Sequence, residues 1–136
     1  MGNEFNERVI EEFRANGGKV GGQFEGTDLV LLTTTGARSG QPRTAPVVYH
    51  RVGQELVVVA SNGGAHQHPA WYHNLVANPA GTAEIGTEKF GFLAVPLTGA
   101  DRDRAFAEVV AHSPGFGEFA ESTDRVIPVV ALRRAG

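Results

Sequence analysis

The loop Gly36-Ala-Arg-Ser-Gly-Gln-Pro-Arg43 follows Thr33-Thr34-Thr35 and gathers two guanidinium forks, several hydroxyls and glycine-flanked backbone N–H groups around one turn. Such a set grips phosphate or carboxylate, because a guanidinium donates paired N–H bonds to an anion and the amides of a turn add a concave positive dipole. It is not a Walker loop. The Lys and the following Ser/Thr are missing, and Pro42 with 44–48 sends the chain into a strand rather than a helix whose amino end would face phosphates. The competing reading is a hairpin loop whose arginines meet only water.

A second set runs from Ser61 to Leu75. Ser61 and Asn62 offer hydrogen bonds, Gly63-Gly64 lets backbone come close to a flat ligand, and Trp71-Tyr72 put the only tryptophan beside one of two tyrosines. Groups of this kind hold planar heterocycles; alternatively, Trp71 is a core anchor beside an irregular loop. His66, His68 and His73 invite a metal, since imidazole is the commonest neutral ligand. No carboxylate or cysteine lies near them to complete a typical ligand set, so no metal is expected.

Other chemistry lacks an anchor. There is no Gly-x-Ser-x-Gly elbow, no His-Glu-x-x-His and no Gly-x-Gly-x-x-Gly, and the absence of cysteine excludes disulfides, thiolate metal sites and thiol catalysis. Between Asp28 and Glu84 the only acid is Glu55, which leaves no carboxylate pair for hydrolysis and makes the middle of the chain locally basic. The net charge of −3 argues against a broad nucleic-acid footprint. These gaps favour a cofactor-dependent enzyme or a binding module.

The elements that must position these groups fit one domain, 1–136, at 136 residues. Eighteen glycines, about twice the usual ~7% share, favour tight turns over long helices. Phe5, Val9, Ile10 and Phe13 recur at helical spacing, which makes 1–16 an amphipathic helix stopped by Gly17-Gly18. Strands are expected over 29–35, 44–52, 55–60, 82–85, 89–97 and 126–132, with Gly53-Gln54 and Gly86-Thr87 as hairpin turns. Helices are expected over 70–77 and 101–111, the second opened by a Thr98-to-Asp101 capping box, with 113–119 a Gly, Pro and Phe loop. The pattern suits a mainly β (α+β) barrel with two or three flanking helices. The amino end is too acidic and too weakly apolar for a signal peptide, and no apolar run is long enough for a membrane span, so a cytoplasmic protein is expected.

Four segments carry a resemblance: Leu31 to Thr44, Val58 to Ala65, Pro69-Ala-Trp-Tyr-His-Asn-Leu-Val-Ala-Asn-Pro79 and Thr123-Asp-Arg-Val-Ile-Pro-Val-Val130. In this order and spacing the chain resembles the deazaflavin (F420)-dependent nitroreductase family, a largely actinobacterial group, from about Gly17 to Val130. The resemblance implies a split β-barrel, related to that of FMN-binding oxidoreductases. It also implies coenzyme F420 as cofactor and hydride transfer from reduced deazaflavin to a small electron-poor acceptor: a quinone, an enone or a nitro compound.

Site residues follow by the same resemblance. Ala37, Arg38, Ser39 and Arg43, with Thr44, Pro46, Val47 and Tyr49 of the next strand, would line the phosphate and oligoglutamate tail. Val59, Ala60, Ser61 and Asn62, with Gly63 and Gly64, would run along the deazaflavin; Ala70, Trp71, Tyr72, His73 and Asn74 would close over it. Ser61 is the candidate catalytic group, hydrogen-bonding the reacting face. Ser113, Phe116 and Phe119 stand where the nitroimidazole-reducing branch is tyrosine-rich, so they would form an apolar acceptor wall, Phe116 also touching the cofactor, and disfavour nitroimidazoles. Asn62 and Ala37-Arg38 depart from the more basic pattern of many relatives. The alternatives are a non-catalytic F420 binding or storage protein and an FMN-binding relative. No stable membrane insertion is expected beyond a peripheral contact, and the state is expected to be monomer or homodimer.

Overall fold

The structure, a computed structural model, describes residues 4–22, 27–62 and 66–135. Among these, six strands form a closed antiparallel barrel in the order β1-β2-β3-β6-β5-β4. The strands are β1 (Leu29–Thr35), β2 (Pro42–Val52), β3 (Glu55–Val59), β4 (Ala80–Ile85), β5 (Glu88–Pro96) and β6 (Val129–Arg134). The helices are α1 (Glu4–Ala15), α2 (Ala70–Ala77), α3 (Gly99–His112) and α4 (Gly115–Glu121). β4 pairs back onto β1, Leu32 opposite Ala83, and leaves no free sheet edge.

Side-chain alternation builds the layers. Val30 and Leu32 of β1, Leu56 and Val58 of β3, and Val130 and Leu132 of β6 fill the barrel with Phe92 of β5. The intervening residues face outward under helices: Leu29 and Leu31 meet Val9 and Phe13 of α1, while Val57, Val129 and Ala131 meet Ala105 and Val109 of α3. Period two in the strands thus gives each of these strands two buried faces. Gly81 shows how tightly the barrel closes, for a Cβ there would lie 2.7 Å from both the Thr33 carbonyl oxygen and Phe92 Cζ.

β1, β3 and α2 follow the expected boundaries closely, and three expectations need correction. The segment expected to be a loop over 113–119 instead contains α4, with Pro114 in helical conformation at its N-cap. Phe116, Phe119 and Ala120, spaced i, i+3 and i+4, pack against the α3 cluster, and that burial outweighs the poor helix propensity of two glycines. Thr98 stands at the N-cap of α3 in extended conformation, but its side chain makes no capping hydrogen bond. The last strand begins at Val129 rather than 126: Val126 is exposed, and the Pro128 carbonyl accepts the Ala60 N–H before the ladder starts.

Candidate active site

β1 ends and β2 begins at the mouth of the barrel, where α2 inserts Leu75 into the interior and packs Trp71 and Tyr72 against it. Beside this plug lies an open cleft of about 920 Å³, bounded by the 36–43 loop, by Trp71 and His73 of α2, and by Asn6, Glu7 and Ile10 of α1. The loop is held by its own backbone. Gly36 N–H donates to the Gln41 carbonyl at 2.8 Å, and Gly40 N–H donates to the Gly36 carbonyl at 2.9 Å. Gly40 takes φ +69°, which a residue with a Cβ rarely adopts, and Ser39 Oγ accepts the Gln41 N–H at 3.1 Å.

Asn74 joins the loop to α2. Its Nδ2 donates to Thr34 Oγ1 at 3.1 Å and its Oδ1 accepts the Ala37 N–H at 2.9 Å, both from a buried position. The Thr33 and Thr44 hydroxyls, 2.8 Å apart across the β1–β2 pair, close the ladder below. Arg38 and Arg43 stand exposed at the rim. Among the described residues neither is within ion-pair distance of a carboxylate, whereas Arg14, Arg102, Arg104, Arg133 and Arg134 each have an acidic partner.

Ser61 follows β3 and is buried. Its carbonyl accepts a hydrogen bond from Arg125 Nη2 at 2.9 Å. Asn62 adopts φ +49°, a left-handed conformation that Asn tolerates, and its Nδ2 donates to the Gln67 carbonyl at 3.0 Å. His68 packs on Tyr72 at 4.8 Å between ring centres. Burial, then the Arg125 charge, then His73 hold His68 below the ordinary histidine pKa. The ring is therefore neutral near pH 7, and its Nδ1, 2.8 Å from Arg125 Nη1, acts as acceptor. Among the described residues no three metal-ligating side chains converge.

The cleft brings together Ala37, Arg38, Ser39, Arg43 and Thr44 with Ala70, Trp71, His73 and Asn74. It does not include the remaining site candidates. Val47, Tyr49 and Tyr72 pack on the barrel interior, Val59 lies under the helix α3, Ala60 is fully buried, and Pro46 pairs with Leu31 in the ladder. Gly63 and Gly64 lie outside the described residues. Phe116 and Phe119 stack edge to face at 5.5 Å in the α3–α4 layer, with Ser113 as the C-cap of α3, and none of the three lines the cleft. Phe116 also meets His50 at 4.9 Å, whose buried Nε2 has no hydrogen-bond partner among the described residues and whose pKa burial lowers.

Sequence reasoning gave no site role to α1, Thr34 or Arg125. Helical periodicity reports which face of α1 is apolar, not that its amino-terminal half reaches the 36–43 loop. Arg125 stood inside a quoted segment, but its reach back to Ser61 and His68 has no sequence signal.

Comparison with known proteins places this geometry. Residues 6–134 match the family model described as F420H(2)-dependent quinone reductase. An F420H(2)-dependent quinone reductase of Mycobacterium tuberculosis is 37% identical over 126 residues, covering 90% of this chain and 85% of the relative. The chain belongs to this family. Among solved structures, an F420-H2 dependent reductase, FDR-A, superposes with TM-score 0.70 at 36% identity, covering 78% of this chain and 94% of that one. A chain solved as a domain-swapped dimer superposes with TM-score 0.72 at 34% identity, covering 93% and 92%. The protein is thus an F420H2-dependent oxidoreductase with coenzyme F420 as its cofactor, built on the split β-barrel. The mouth suits that cofactor's anionic part: two arginines that form no ion pair among the described residues flank a cleft whose volume lies within the range of cofactor sites.

Proposed function

We propose that the mouth cleft holds the phosphate and tail of F420, with Arg38 and Arg43 as charge-assisted donors, Ser39 and Thr44 as hydroxyl partners, and Trp71 and His73 on the facing wall. The 59–62 segment, with Gly63 and Gly64, would then border the ring, and Ser61 would hydrogen-bond its reacting face. When bound, reduced F420 supplies the hydride. The chain's own contribution is to anchor the tail, orient the ring and keep water from the reacting face. The acceptor in this reading is a quinone, the substrate class in the names of the mycobacterial relatives. The acceptor-side assignment of Ser113, Phe116 and Phe119 rests on the family resemblance, while their packing gives them a structural use.

One observation carries the reading: in a chain whose other exposed arginines are mostly ion-paired, the two on the cleft rim form no ion pair among the described residues. The test is titration with F420 and with FMN by fluorescence, followed by F420H2 oxidation with a menadione-like quinone. F420 is expected to bind much more tightly than FMN, since only F420 carries an extended polyanionic tail, and the quinone is expected to be reduced. Equal affinities would remove the tail assignment. Tight F420 binding without quinone turnover would put the carrier reading ahead.

A further inference from the structure

The segment Thr123-Asp-Arg-Val-Ile-Pro128 enters β6 on the side of the barrel where β3 ends, and its polar side chains reach back across the fold. Arg125 Nη2 donates to the Ser61 carbonyl at 2.9 Å, and Arg125 Nη1 donates to His68 Nδ1 at 2.8 Å. One guanidinium therefore spans both flanks of the glycine pair, Ser61 before it and His68 after it. Thr123 Oγ1 adds a contact to His66 Nδ1 at 3.3 Å. Because the planar fork fixes its two N–H directions relative to each other, it constrains the loop ends in distance and in orientation.

We propose that Arg125 is a positioning residue for the F420 ring, acting through Ser61, and that protonation of His68 loosens this tether. The inference rests on the reading that Ser61 borders the ring. The groups facing His68 are Arg125 from the segment before β6, Tyr72 and His73 from α2, and, on its own loop, His66, which Thr123 holds. Its imidazole can accept from Arg125 only while neutral. A proton on Nδ1 removes the acceptor and sets two cations 2.8 Å apart, which repels the guanidinium and weakens its hold on the Ser61 carbonyl.

The test compares the full-length wild type with Arg125→Met and His68→Asn. Two readouts serve: hydrogen exchange of the 61–69 segment without cofactor, corrected for intrinsic rates, and F420 affinity from pH 5 to 8. Arg125→Met is expected to raise exchange in this segment at pH 7.5 and to weaken F420 binding about tenfold, with a larger change in KM for F420 than in kcat. Wild type is expected to show the same loosening only on acidification. His68→Asn places an amide oxygen near the Nδ1 position without a titrating proton, so it should keep the loop protected at pH 5. The ligand's own titration is common to all three proteins and cancels in the comparison. Parallel pH profiles for wild type and His68→Asn would overturn the switch. If Arg125→Met lowers thermal stability but leaves loop exchange and F420 affinity at wild-type values, the residue is only a structural support and the proposal fails. If wild type fails to bind F420, the cofactor reading falls, and exchange in the free protein still decides whether Arg125 tethers the loop.

Discussion

The two ends of the barrel both carry arginines, and they use them in opposite ways. At the end closed by the β2–β3 and β4–β5 turns, Arg133 Nη2 lies 2.8 Å from Glu55 and Arg134 Nη2 lies 2.7 Å from Glu88. There Arg134 also stacks over Phe90 at 4.0 Å and Arg51 over Tyr49 at 5.7 Å. At the mouth, Arg38 and Arg43 extend beside a cleft of about 920 Å³ and form no ion pair among the described residues. Arg133 and Arg134 are neutralised where the barrel closes, while Arg38 and Arg43 form no ion pair at the mouth, where the anionic tail is proposed to sit. Composition alone cannot show this. The acids of the closed end sit in the first positions of β3 and β5, so in sequence Glu55 interrupts the basic stretch, while in space it serves the far end.

The sharpest way to break the comparison is charge reversal at each end. Arg38→Glu with Arg43→Glu is expected to weaken F420 binding by more than about a hundredfold, since it removes two charge-assisted contacts of roughly 1.5–3 kcal/mol each and adds repulsion. Arg133→Glu with Arg134→Glu should leave F420 affinity within about twofold, because exposed charges more than a Debye length from the ligand are screened. Fluorescence titration at fixed ionic strength measures both. Comparable losses from the two pairs would mean that net charge, not the mouth, attracts the cofactor.

A smaller effect separates the shape of the mouth from its charge. Asn74→Ala leaves the Thr34 hydroxyl and the Ala37 N–H without their partner, which costs about 1–3 kcal/mol of stability and frees the 36–43 loop. F420 affinity should fall about tenfold although no charge has changed. Thr34→Val removes only the half of the network that does not touch the loop, so it should lower stability while leaving affinity within about threefold. Urea denaturation and F420 titration of both variants give the two quantities. Equal behaviour would mean that Asn74 supports the barrel and not the loop.

Much of the barrel was legible because its signals are local. The apolar and β-branched run 29–35, the strand expected over 55–60 and the turns at Gly53 and Gly86 report one strand at a time, and the structure reproduces them to within a residue. The 113–119 segment was misread for the complementary reason: α4 exists because Phe116 and Phe119 find the α3 cluster, a tertiary contact that overrides glycine and proline propensity. The site divides in the same way. Arg38, Ser39 and Arg43 share one turn and could be grouped from spacing, whereas Val47 and Tyr49 lie half-buried against the barrel interior and Val59 is buried beneath α3, since a family segment does not say which face of a strand looks outward. Arg125 and Ser61 lie 64 residues apart, and only folding brings them together.

The smallest effect tests whether an ion pair remote from the rim tunes the mouth through α1. Arg14 holds Glu84 bidentately, Nε to Oε1 at 3.1 Å and Nη2 to Oε2 at 2.8 Å, and so ties the carboxyl end of the helix to β4 while the other end lines the cleft. The hydrogen bond and charge of Arg14 hold the Glu84 carboxyl below the ordinary carboxylate range. A carboxyl depressed in the folded state adds stability above its unfolded value and loses it as pH falls through the folded one, so the contribution is present at neutral pH and disappears in acid. Arg14→Met should lower stability by about 0.5–1 kcal/mol at pH 7, as expected for a partly exposed pair, and the difference from wild type should disappear as pH falls through the depressed Glu84 value and the carboxyl becomes protonated in both proteins. F420 affinity should change by less than about threefold, because α1 keeps Val9 and Phe13 packed on β1 without the pair. A tenfold loss of affinity from this substitution, read in the same titration, would show that the mouth depends on the seating of α1 as much as on its own arginines, and the contrast between the two ends would no longer be one of local charge.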